Sequence, residues 1–437
     1  MHFESGLPDS LAIKEQDQSM NQIPGTPAFF SFLERSFSPG PLAVASFMVS
    51  VLSLPVGPAL ADETPKKNTK ALPSQGLERQ WNVFRGGEAQ KGYRPVSPTD
   101  APRLTWAFDI GEAVEATAAI SGTRVFVASV DGKVCALELL ARDKKGKMAW
   151  QQKTEGGIRS SPGVKNGKVF FGDDFGFVYA LDAATGKILW KYETEGGAEI
   201  ISSVNFYKES LLVGSYDGNL YCIECSTGKL IWKVETGAPV HCSPAISQGK
   251  TFVAGCDGLL RVIDVAKGKE VSQLELGENT AASPAVQGDQ LYVGTYGSQV
   301  KAVDWKAGKI LWTYEHPVRR FPYYASAALS KELVVIGGRD KYIHGLQRKS
   351  GKAAWTFTTR ARVESSPVIV GTRVVCGSSD KNIYMLELST GRKVWSFEGD
   401  GSFVSSAAIA SGHMVMGCDS GLVYCFDMKP TEKAGSK

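Results

Sequence analysis

Four arginines and two tyrosines fall in two connections of the chain and could recognise a negatively charged partner. The first connection, residues 316–324, reads HPVRRFPYY, and the second supplies arginines at 360 and 362. Guanidinium groups bond carboxylates and phosphates in pairs and stack on aromatic rings. The pattern predicts a patch that binds a protein or an acidic peptide, with an ordinary solvated rim as the alternative. Its members are Arg319, Arg320, Tyr323, Tyr324, Arg360 and Arg362.

A second set of polar residues recurs at one position of a repeating unit. Two residues before the second member of a small-residue pair, the copies carry Glu, Arg, Ile, His, Ala, Tyr, Glu and Val in turn. The preceding position is nearly always apolar and is expected to pack inside. The variable position is therefore expected to line the mouth of a central channel, where a small molecule could bind, and His241 is expected to be a hydrogen-bonded wall residue. The charged and histidine members are Glu115, Arg159, His241 and Glu364.

The sequence has none of the motifs that would supply catalysis. It contains no adjacent cysteine pair, no C-x-x-C-H haem attachment, no G-x-S-x-G elbow and no H-E-x-x-H zinc motif. Acidic residues before turn glycines, such as Asp182 and Asp264, are expected to cap turns. We therefore assign no catalytic residue and no metal site, and we expect no cofactor. Cys135 and Cys425 are either buried thiols or a disulfide across the two ends of the fold.

Composition and charge restrict the class of protein further. The 437 residues are 43% hydrophobic and 22% charged, with 47 glycines and nine tryptophans, which is typical of a globular, turn-rich chain. The net charge is only +4 and no long basic run occurs. A dedicated nucleic-acid-binding protein is therefore not expected.

The residues above are positioned by eight copies of one unit. One position recurs at steps of 44, 40, 42, 40, 40, 43 and 40 residues. It is a tryptophan after a Gly-Lys or Gly-Arg turn in six copies, Trp106 in the first copy, where no such turn precedes it, and Ser272 in the fifth. Each unit holds four short β-branched or aromatic segments separated by turn residues. Four-stranded antiparallel blades at this period predict an all-β, eight-bladed β-propeller. Its regular tryptophans are expected to dock one blade on the next, and they are Trp106, Trp150, Trp190, Trp232, Trp312, Trp355 and Trp395.

The two ends of the repeat predict how the ring closes. The last unit stops at VYCFDMKP, residues 423–430, without its tryptophan strand, and residues 104–108 form an isolated strand with no partners before it. The N-terminal strand is therefore expected to complete the last blade, which leaves no free sheet edge.

The turns TGKILW at 185–190 and TGKLIW at 227–232 resemble those of the PQQ-repeat, or quinoprotein-like, propellers. The family includes quinoprotein alcohol dehydrogenases and BamB-like outer-membrane assembly factors, and the resemblance covers about residues 81–427. The WNVFRG sequence at 81–86 is similar to an N-terminal element of exported bacterial members. In this family the repeat tryptophan docks between blades, which implies a weakened junction at Ser272.

The resemblance leaves three functions open. The family's dehydrogenases use a vicinal disulfide, a calcium ion and long insertions, and this chain has neither adjacent cysteines nor a long insertion. A non-catalytic scaffold that binds a protein or peptide of the cell envelope is therefore the favoured hypothesis. The alternatives are a PQQ-dependent dehydrogenase-like oxidoreductase, for which PQQ would be the cofactor, and a small-ligand sensor related to kinase-associated propellers.

The N-terminal region indicates export. The apolar stretch at residues 41–54 is shorter than the roughly 20 residues needed to span a bilayer, and Ala59-Leu60-Ala61 follows it. This is typical of a signal peptide, so residues 1–61 are expected to be a signal peptide with an extended N-terminal region, cleaved after Ala61. The mature chain would be periplasmic or secreted, without a transmembrane span. Residues 62–80 are expected to be a flexible linker, 81–430 the propeller and 431–437 a disordered tail.

Overall fold

The computed structural model describes residues 80–430, which form an eight-bladed β-propeller. The predicted signal peptide, almost all of the predicted linker and the predicted tail lie outside these residues. In the described range, no helix has the length and apolar character needed to cross a bilayer.

Each blade is an antiparallel sheet whose first strand lies nearest the central channel. The chain enters through β1 (Gln80–Trp81), a 3-10 turn (Phe84–Gly86), β2 (Tyr93–Arg94) and β3 (Arg103–Asp109). Blade 1 consists of β4 (Ala119–Ser121), β5 (Arg124–Ala128), β6 (Lys133–Glu138) and β7 (Met148–Lys153), and blade 2 consists of β8 (Gly163–Lys165), β9 (Lys168–Gly172), β10 (Phe177–Asp182) and β11 (Ile188–Glu193). Blade 3 consists of β12 (Asn205–Tyr207), β13 (Ser210–Gly214), β14 (Asn219–Glu224) and β15 (Leu230–Glu235), and blade 4 consists of β16 (Ala245–Ser247), β17 (Lys250–Ala254), β18 (Leu259–Asp264) and β19 (Lys269–Glu275). Blade 5 consists of β20 (Ala285–Gln287), β21 (Gln290–Gly294), β22 (Gln299–Asp304) and β23 (Lys309–Glu315), and blade 6 consists of β24 (Ala328–Leu329), β25 (Leu333–Gly337), β26 (Tyr342–Gln347) and β27 (Ala353–Thr358). Blade 7 consists of β28 (Val368–Val370), β29 (Arg373–Gly377), β30 (Asn382–Glu387) and β31 (Lys393–Glu398), and blade 8 contains β32 (Ala408–Ala410), β33 (His413–Gly417) and β34 (Leu422–Asp427).

The sequence pattern of each strand follows its place in the blade. The second and third strands are covered by the neighbouring blades on both faces, so they are continuous apolar runs, and four successive residues of β5 and of β6 are buried. The fourth strand lies at the outside and alternates between buried and exposed residues, as β7 does. The acidic residues that precede the turn glycines cap turns, since Asp182 accepts the backbone N–H of Thr185 at 2.8 Å.

The predicted closure of the ring is confirmed. Strand β3 pairs antiparallel with β34, with Trp106 opposite Cys425, and so forms the outer strand of blade 8. Two blades also carry a fifth strand that the repeat did not predict. Strand β1 pairs with β4, and β2 runs parallel to β28, both at the channel side.

The repeat tryptophans lie at the junctions between blades. Six of their indole N–H groups donate to a carbonyl oxygen in the next blade, at distances from 2.8 to 3.2 Å. Their rings pack on the turn glycine of that blade: a Cβ on Gly186 would lie 2.5 Å from the Trp150 ring. Trp395 instead contacts Phe426 of blade 8 edge to face, at 5.6 Å between ring centroids.

The junction expected to be weak at Ser272 is filled from the opposite side. Trp305 of blade 5 is 8% exposed, and its ring centroid lies 5.1 Å from that of Phe252 in blade 4. In other blades the residue equivalent to Phe252 contacts the blade's own repeat tryptophan, as Phe170 contacts Trp190. At this junction the aromatic ring is therefore supplied by Trp305 of blade 5 instead of by residue 272 of blade 4.

Residues 80–96 run through the central channel and hydrogen-bond to the inner strands. Backbone carbonyls of this segment accept N–H groups from blades 2, 4, 5, 6 and 7 in turn. Arg85 is 1% exposed and donates to the carbonyl oxygens of Ser366 at 3.0 Å, Ala327 at 2.9 Å and Pro367 at 2.5 Å. The segment therefore fills one end of the channel.

Candidate functional site

The open end of the channel is a cup on the face that carries the connections between blades. Its volume is about 320 Å³, and Phe84, from the segment that fills the channel, is among the lining residues. All eight residues of the variable position surround it, one from each blade. They are Glu115, Arg159, Ile201, His241, Ala281, Tyr324, Glu364 and Val404.

A ring of hydroxyl groups lies in the same cup. In each blade the second residue of the small pair donates its backbone N–H to the side-chain hydroxyl of the equivalent residue in the next blade. The eight bonds are 2.8 to 3.2 Å long, and the last, from Ser406 to Thr117, closes the circle. This explains why the second residue of the pair is Ser or Thr in every copy, because each blade must present an acceptor to its neighbour.

Replacing Ser243 by alanine is expected to lower the free energy of unfolding by about 1–3 kcal/mol, because the buried N–H of Ser203 loses its acceptor. Urea denaturation measures the change. The control is Ser247→Ala at the end of β16, a position that is only partly buried. Equal stability of the two variants would show that the ring does not hold the blades together.

One wall of the cup is charged, and its charges are paired. Arg159 contacts two acids, with Nε 3.6 Å from Glu115 and Nη1 3.1 Å from Asp174. Two blades from Glu115, Glu364 of blade 7 lies between Arg339 at 2.9 Å and Arg362 at 3.1 Å. Both glutamates are therefore engaged by arginines rather than presented alone to a ligand in the cup.

The remaining wall is aromatic. The ring centroids of Tyr296 and Tyr324 are 4.8 Å apart, and the guanidinium of Arg339 lies 4.5 Å from the Tyr324 ring. Burial raises the pKa of Tyr296 well above its usual range. The Nδ1 atom of His241 lies 2.5 Å from the Tyr216 hydroxyl, and burial lowers the pKa of this histidine. His241 is thus placed as a hydrogen-bonded wall residue.

A second ring of variable residues was missed by the sequence patterns. It lies two residues after the end of each second strand, in the hairpin that leads to the third strand, and it supplies Asp174, Tyr216, Tyr296 and Arg339 to the contacts above. The residue types at this position vary as widely as those of the first ring. That variation was the available signal for a second ring, but the turn residues of these hairpins predicted only turns.

The four arginines of the predicted patch have different surroundings in the structure. Arg320 and Arg362 are exposed but ion-paired, Arg320 to Glu315 at 2.7 Å. Arg319 lies over the Tyr342 ring at 5.5 Å. The Arg360 guanidinium forms no ion pair within residues 80–430. A groove of about 520 Å³ adjoins them, and it is lined by Phe321, Pro322, Arg339, Lys341, Ala361, Arg362 and Ser379.

The two predicted tyrosines do not belong to this patch. Tyr323 is 1% exposed and packs in the core beside His344, at 5.4 Å between ring centroids. It occupies the apolar position of its unit, whose side chain points into the blade, so its assignment to an exposed patch is wrong. Tyr324, the next residue, faces the cup instead.

The cysteines form no disulfide. Cys135 and Cys425 are both buried free thiols, as are most of the eight. Burial raises the pKa of each to about 12, so neither is a reactive thiolate near neutral pH. In the described part of the chain, no group of three or more His, Cys, Asp or Glu side chains is placed to hold a metal ion.

Comparisons with known proteins identify relatives of two kinds. The family model of the outer membrane protein assembly factor BamB matches residues 95–206, 202–322 and 324–432. A polyvinylalcohol dehydrogenase of Pseudomonas sp is 31% identical over 155 residues, which are 32% of this chain and 24% of that protein. The chain thus spans about a quarter of the length of this curated relative.

Solved structures show the same fold at low sequence identity. BamB from Moraxella catarrhalis has a TM-score of 0.64 at 18% identity, over 76% of this chain and 99% of that one. Quinohemoprotein alcohol dehydrogenase from Comamonas testosteroni has a TM-score of 0.70 at 12% identity, over 83% of each chain. At these identities the likeness concerns the fold alone.

Proposed function

Because the chain belongs to the PQQ-repeat β-propeller family represented by the BamB model, we propose that it is a non-catalytic scaffold that binds a protein or extended peptide of the cell envelope. The observation that carries the proposal is the connection 316–324, which is longer than its equivalents: 14 residues separate Trp312 from Ser326, against 11 in six of the eight units. It exposes apolar side chains next to cations on the face that also bears the cup.

The exposed surface of this connection has the composition of a binding interface. Val318 is 82% exposed and Phe321 is 48% exposed, and Phe321 forms one wall of the groove that Lys341 and Arg362 also line. Aromatic residues and arginines dominate the energetics of protein interfaces. Apolar contact with Phe321, surrounded by cations, suits a partner segment that carries acidic and apolar residues.

The proposed location in the envelope rests on the sequence and on the family. The short apolar stretch at 41–54 and the small residues before Asp62 support export with cleavage after Ala61. The family is named for an outer membrane protein assembly factor. We extend that location, though not a specific assembly role, to this chain.

Photo-crosslinking from Phe321 tests the docking surface directly. A benzophenone amino acid at position 321 is expected to capture a discrete envelope protein in cells. The matched control is the same substitution at Phe175, which is 54% exposed on the same face but four blades away. Equal capture from both positions, or none from position 321, would contradict the proposal.

Reversing the charge of two cations that form no ion pair among residues 80–430 is expected to weaken binding of that partner. Arg319→Glu with Arg360→Glu should lower affinity at least about tenfold, because two attractive contacts become repulsive and each 1.4 kcal/mol is a factor of ten. Affinity for the crosslinked partner is measured by pull-down or calorimetry. Lys187→Glu with Lys229→Glu, in exposed turns of the opposite face, changes the charge equally and should leave binding unchanged.

A second candidate is a quinone-dependent dehydrogenase, favoured by the cup at the centre of the ring and by the dehydrogenase relatives. The residues present do not fit the calcium-bound quinone of that class well. Arg159 in the cup and Arg339 beside it are already paired with acids, and the described residues form no metal-ligating group. We therefore derive no catalytic step through a quinone.

The two candidates separate in one experiment on the natively purified protein. A dehydrogenase would show quinone absorbance, or would reduce a dye with polyvinyl alcohol or a simple alcohol after incubation with PQQ and Ca²⁺. A scaffold is expected to show neither under those conditions. Alcohol-dependent dye reduction that disappears in Glu115→Gln would overturn the scaffold proposal.

A further inference from the structure

A cavity of about 580 Å³ lies at the seam between blades 7 and 8, on the face opposite the cup. Here residues 93–98 leave the channel and pass between the first strands of the two blades. The volume is in the range of pockets that hold small molecules. The cavity shares no lining residue with the cup or with the groove beside Phe321.

The lining combines an apolar wall with two cations. The apolar part includes Val96, Ile409 and Met428, and the charged residues are Arg94 and Lys429. No aspartate or glutamate is among the lining residues. A cavity of this composition favours a molecule with an anionic head and an apolar body.

Arg94 is built into this cavity rather than attached to its rim. Its side chain is largely buried, with the residue 8% exposed, and it stacks on Trp81 with 4.6 Å from the guanidinium to the ring centroid. Nε donates to the carbonyl of Ile409 at 3.2 Å, and Nη2 donates to the carbonyl of Gln80. Nη1 has no hydrogen-bond partner among residues 80–430. The guanidinium is thus held in place with one nitrogen unused.

The charge of Arg94 is unusual among the arginines of this seam. Arg103 pairs with Asp427 at 3.1 Å and Arg373 pairs with Asp100 at 2.7 Å. Within the described residues, Arg94 has no acidic partner, and burial lowers its pKa to about 10. A cation removed from water without a counter-charge is energetically unfavourable. A bound anion would supply the missing charge where water screens it least.

Lys429 completes the cationic end of the cavity. It is exposed, and its stem lies across Gly412, where an added Cβ would be 2.7 Å from Cγ of the lysine. No carboxylate of the described chain lies within ion-pair distance of its ammonium group. Arg94 and Lys429 are the two cations among the lining residues, and both are available to one anionic group in the cavity.

We propose that this seam cavity binds a single-chain amphipathic carboxylate, with its head between Arg94 and Lys429 and its chain against Val96, Ile409 and Met428. The site is independent of the proposed partner surface, because it lies on the other face of the ring. Its ligand is a molecule rather than a membrane, since the apolar wall is inside a cavity and not on an exposed patch.

Titration with dodecanoate below its micellar concentration tests the site, using the full chain and isothermal calorimetry. Saturable binding of one equivalent is expected, and dodecyltrimethylammonium, with the same chain and the opposite charge, should bind at least tenfold more weakly. Equal binding of the two amphiphiles, or no binding of dodecanoate, would overturn the proposal. Vesicles of an anionic phospholipid provide a further arm: binding to vesicles without binding to dodecanoate would assign the site to a membrane and also overturn it.

Two variants at exposed positions locate the binding without disturbing the buried Arg94. Lys429→Gln is expected to lower the affinity for dodecanoate about tenfold, and Ser97→Trp should abolish binding by filling the cavity. The control Lys331→Gln removes the same charge from a side chain that is 93% exposed on the same face, and it should bind as the wild type does. Thermal denaturation checks that each variant is folded. Unchanged affinity in both cavity variants would place the ligand elsewhere and refute this site.

Discussion

Replacement of Arg85 by methionine is expected to lower the free energy of unfolding by about 3–5 kcal/mol. The guanidinium donates to three buried carbonyl oxygens, and each buried acceptor left without a donor costs about 1–3 kcal/mol. Relief of the buried charge offsets part of this, because burial lowers the pKa of Arg85 to about 9. Urea denaturation followed by tryptophan fluorescence measures the change.

The same substitution is expected to loosen the segment that fills the channel. Gly92 has a φ of +56°, and a Cβ there would lie 2.1 Å from Nη2 of Arg85, so the segment is folded closely around the guanidinium. Proteolysis within residues 80–96 should therefore accelerate in Arg85→Met. Arg85→Lys, which keeps the charge but has a single donor nitrogen, should lie between wild type and Arg85→Met. Stability and proteolysis unchanged in both variants would mean that the channel segment is held by its backbone bonds alone.

The repeat architecture could be predicted from the sequence because it depends on spacing. A step of 40 to 44 residues between equivalent positions defines the blade, and eight copies define the ring. Closure was predictable as well, since a unit without its last strand and a strand without its unit must complete each other. The cup residues were also visible as one variable position, because each blade contributes the same place in its unit to the channel.

The channel segment could not be predicted, and the reason is physical. Residues 80–96 have no hydrophobic period, and their contacts are mostly between backbone groups, which leave no pattern in side-chain types. The buried Arg85 bonds to carbonyls of residues more than 240 positions away. The WNVFRG similarity identified the segment, but it did not indicate that the segment lies inside the ring.

Tyr323 and Tyr324 show a different limit of sequence reasoning. Adjacent residues of an extended connection point in opposite directions, so a cluster of like residues in sequence becomes two locations in the fold. Tyr323 enters the core, and Tyr324 joins the cup. The apolar register had already placed Tyr323 inside, and that periodic signal should outweigh chemical resemblance within a loop.

The junction between blades 4 and 5 gives the second large expected effect. Trp305→Ala should destabilise the protein by about 3–5 kcal/mol, as large-to-small changes of a buried tryptophan do. Trp305 packs on Phe252 and donates its indole N–H to Gly288 at 3.1 Å. Ser272→Trp alone should cost about 1–3 kcal/mol, because the new ring competes with Trp305 for the same aromatic partner.

The two substitutions together are expected to destabilise the protein by about 3 kcal/mol less than the sum of the single effects, which is the upper end of the coupling between residues in contact. The double variant recreates the regular junction, with a tryptophan at 272 and a small residue at 305. Space for the new ring exists over Gly308, where an added Cβ would meet nothing within 4 Å, whereas a Cβ on the equivalent Gly268 would lie 2.5 Å from Trp232. A double-mutant cycle in urea measures the coupling.

The control for that cycle is Ser272→Ala combined with Trp305→Ala, which removes the hydroxyl but supplies no ring. It should remain about as unstable as Trp305→Ala alone, because the cavity beside Phe252 is still empty. If Ser272→Trp with Trp305→Ala is as unstable as the sum of its single variants, Trp305 is not the displaced equivalent of the repeat tryptophan. The missing member of the series would then be a genuine gap, and the ring would be held at this junction by its hydroxyl and backbone bonds.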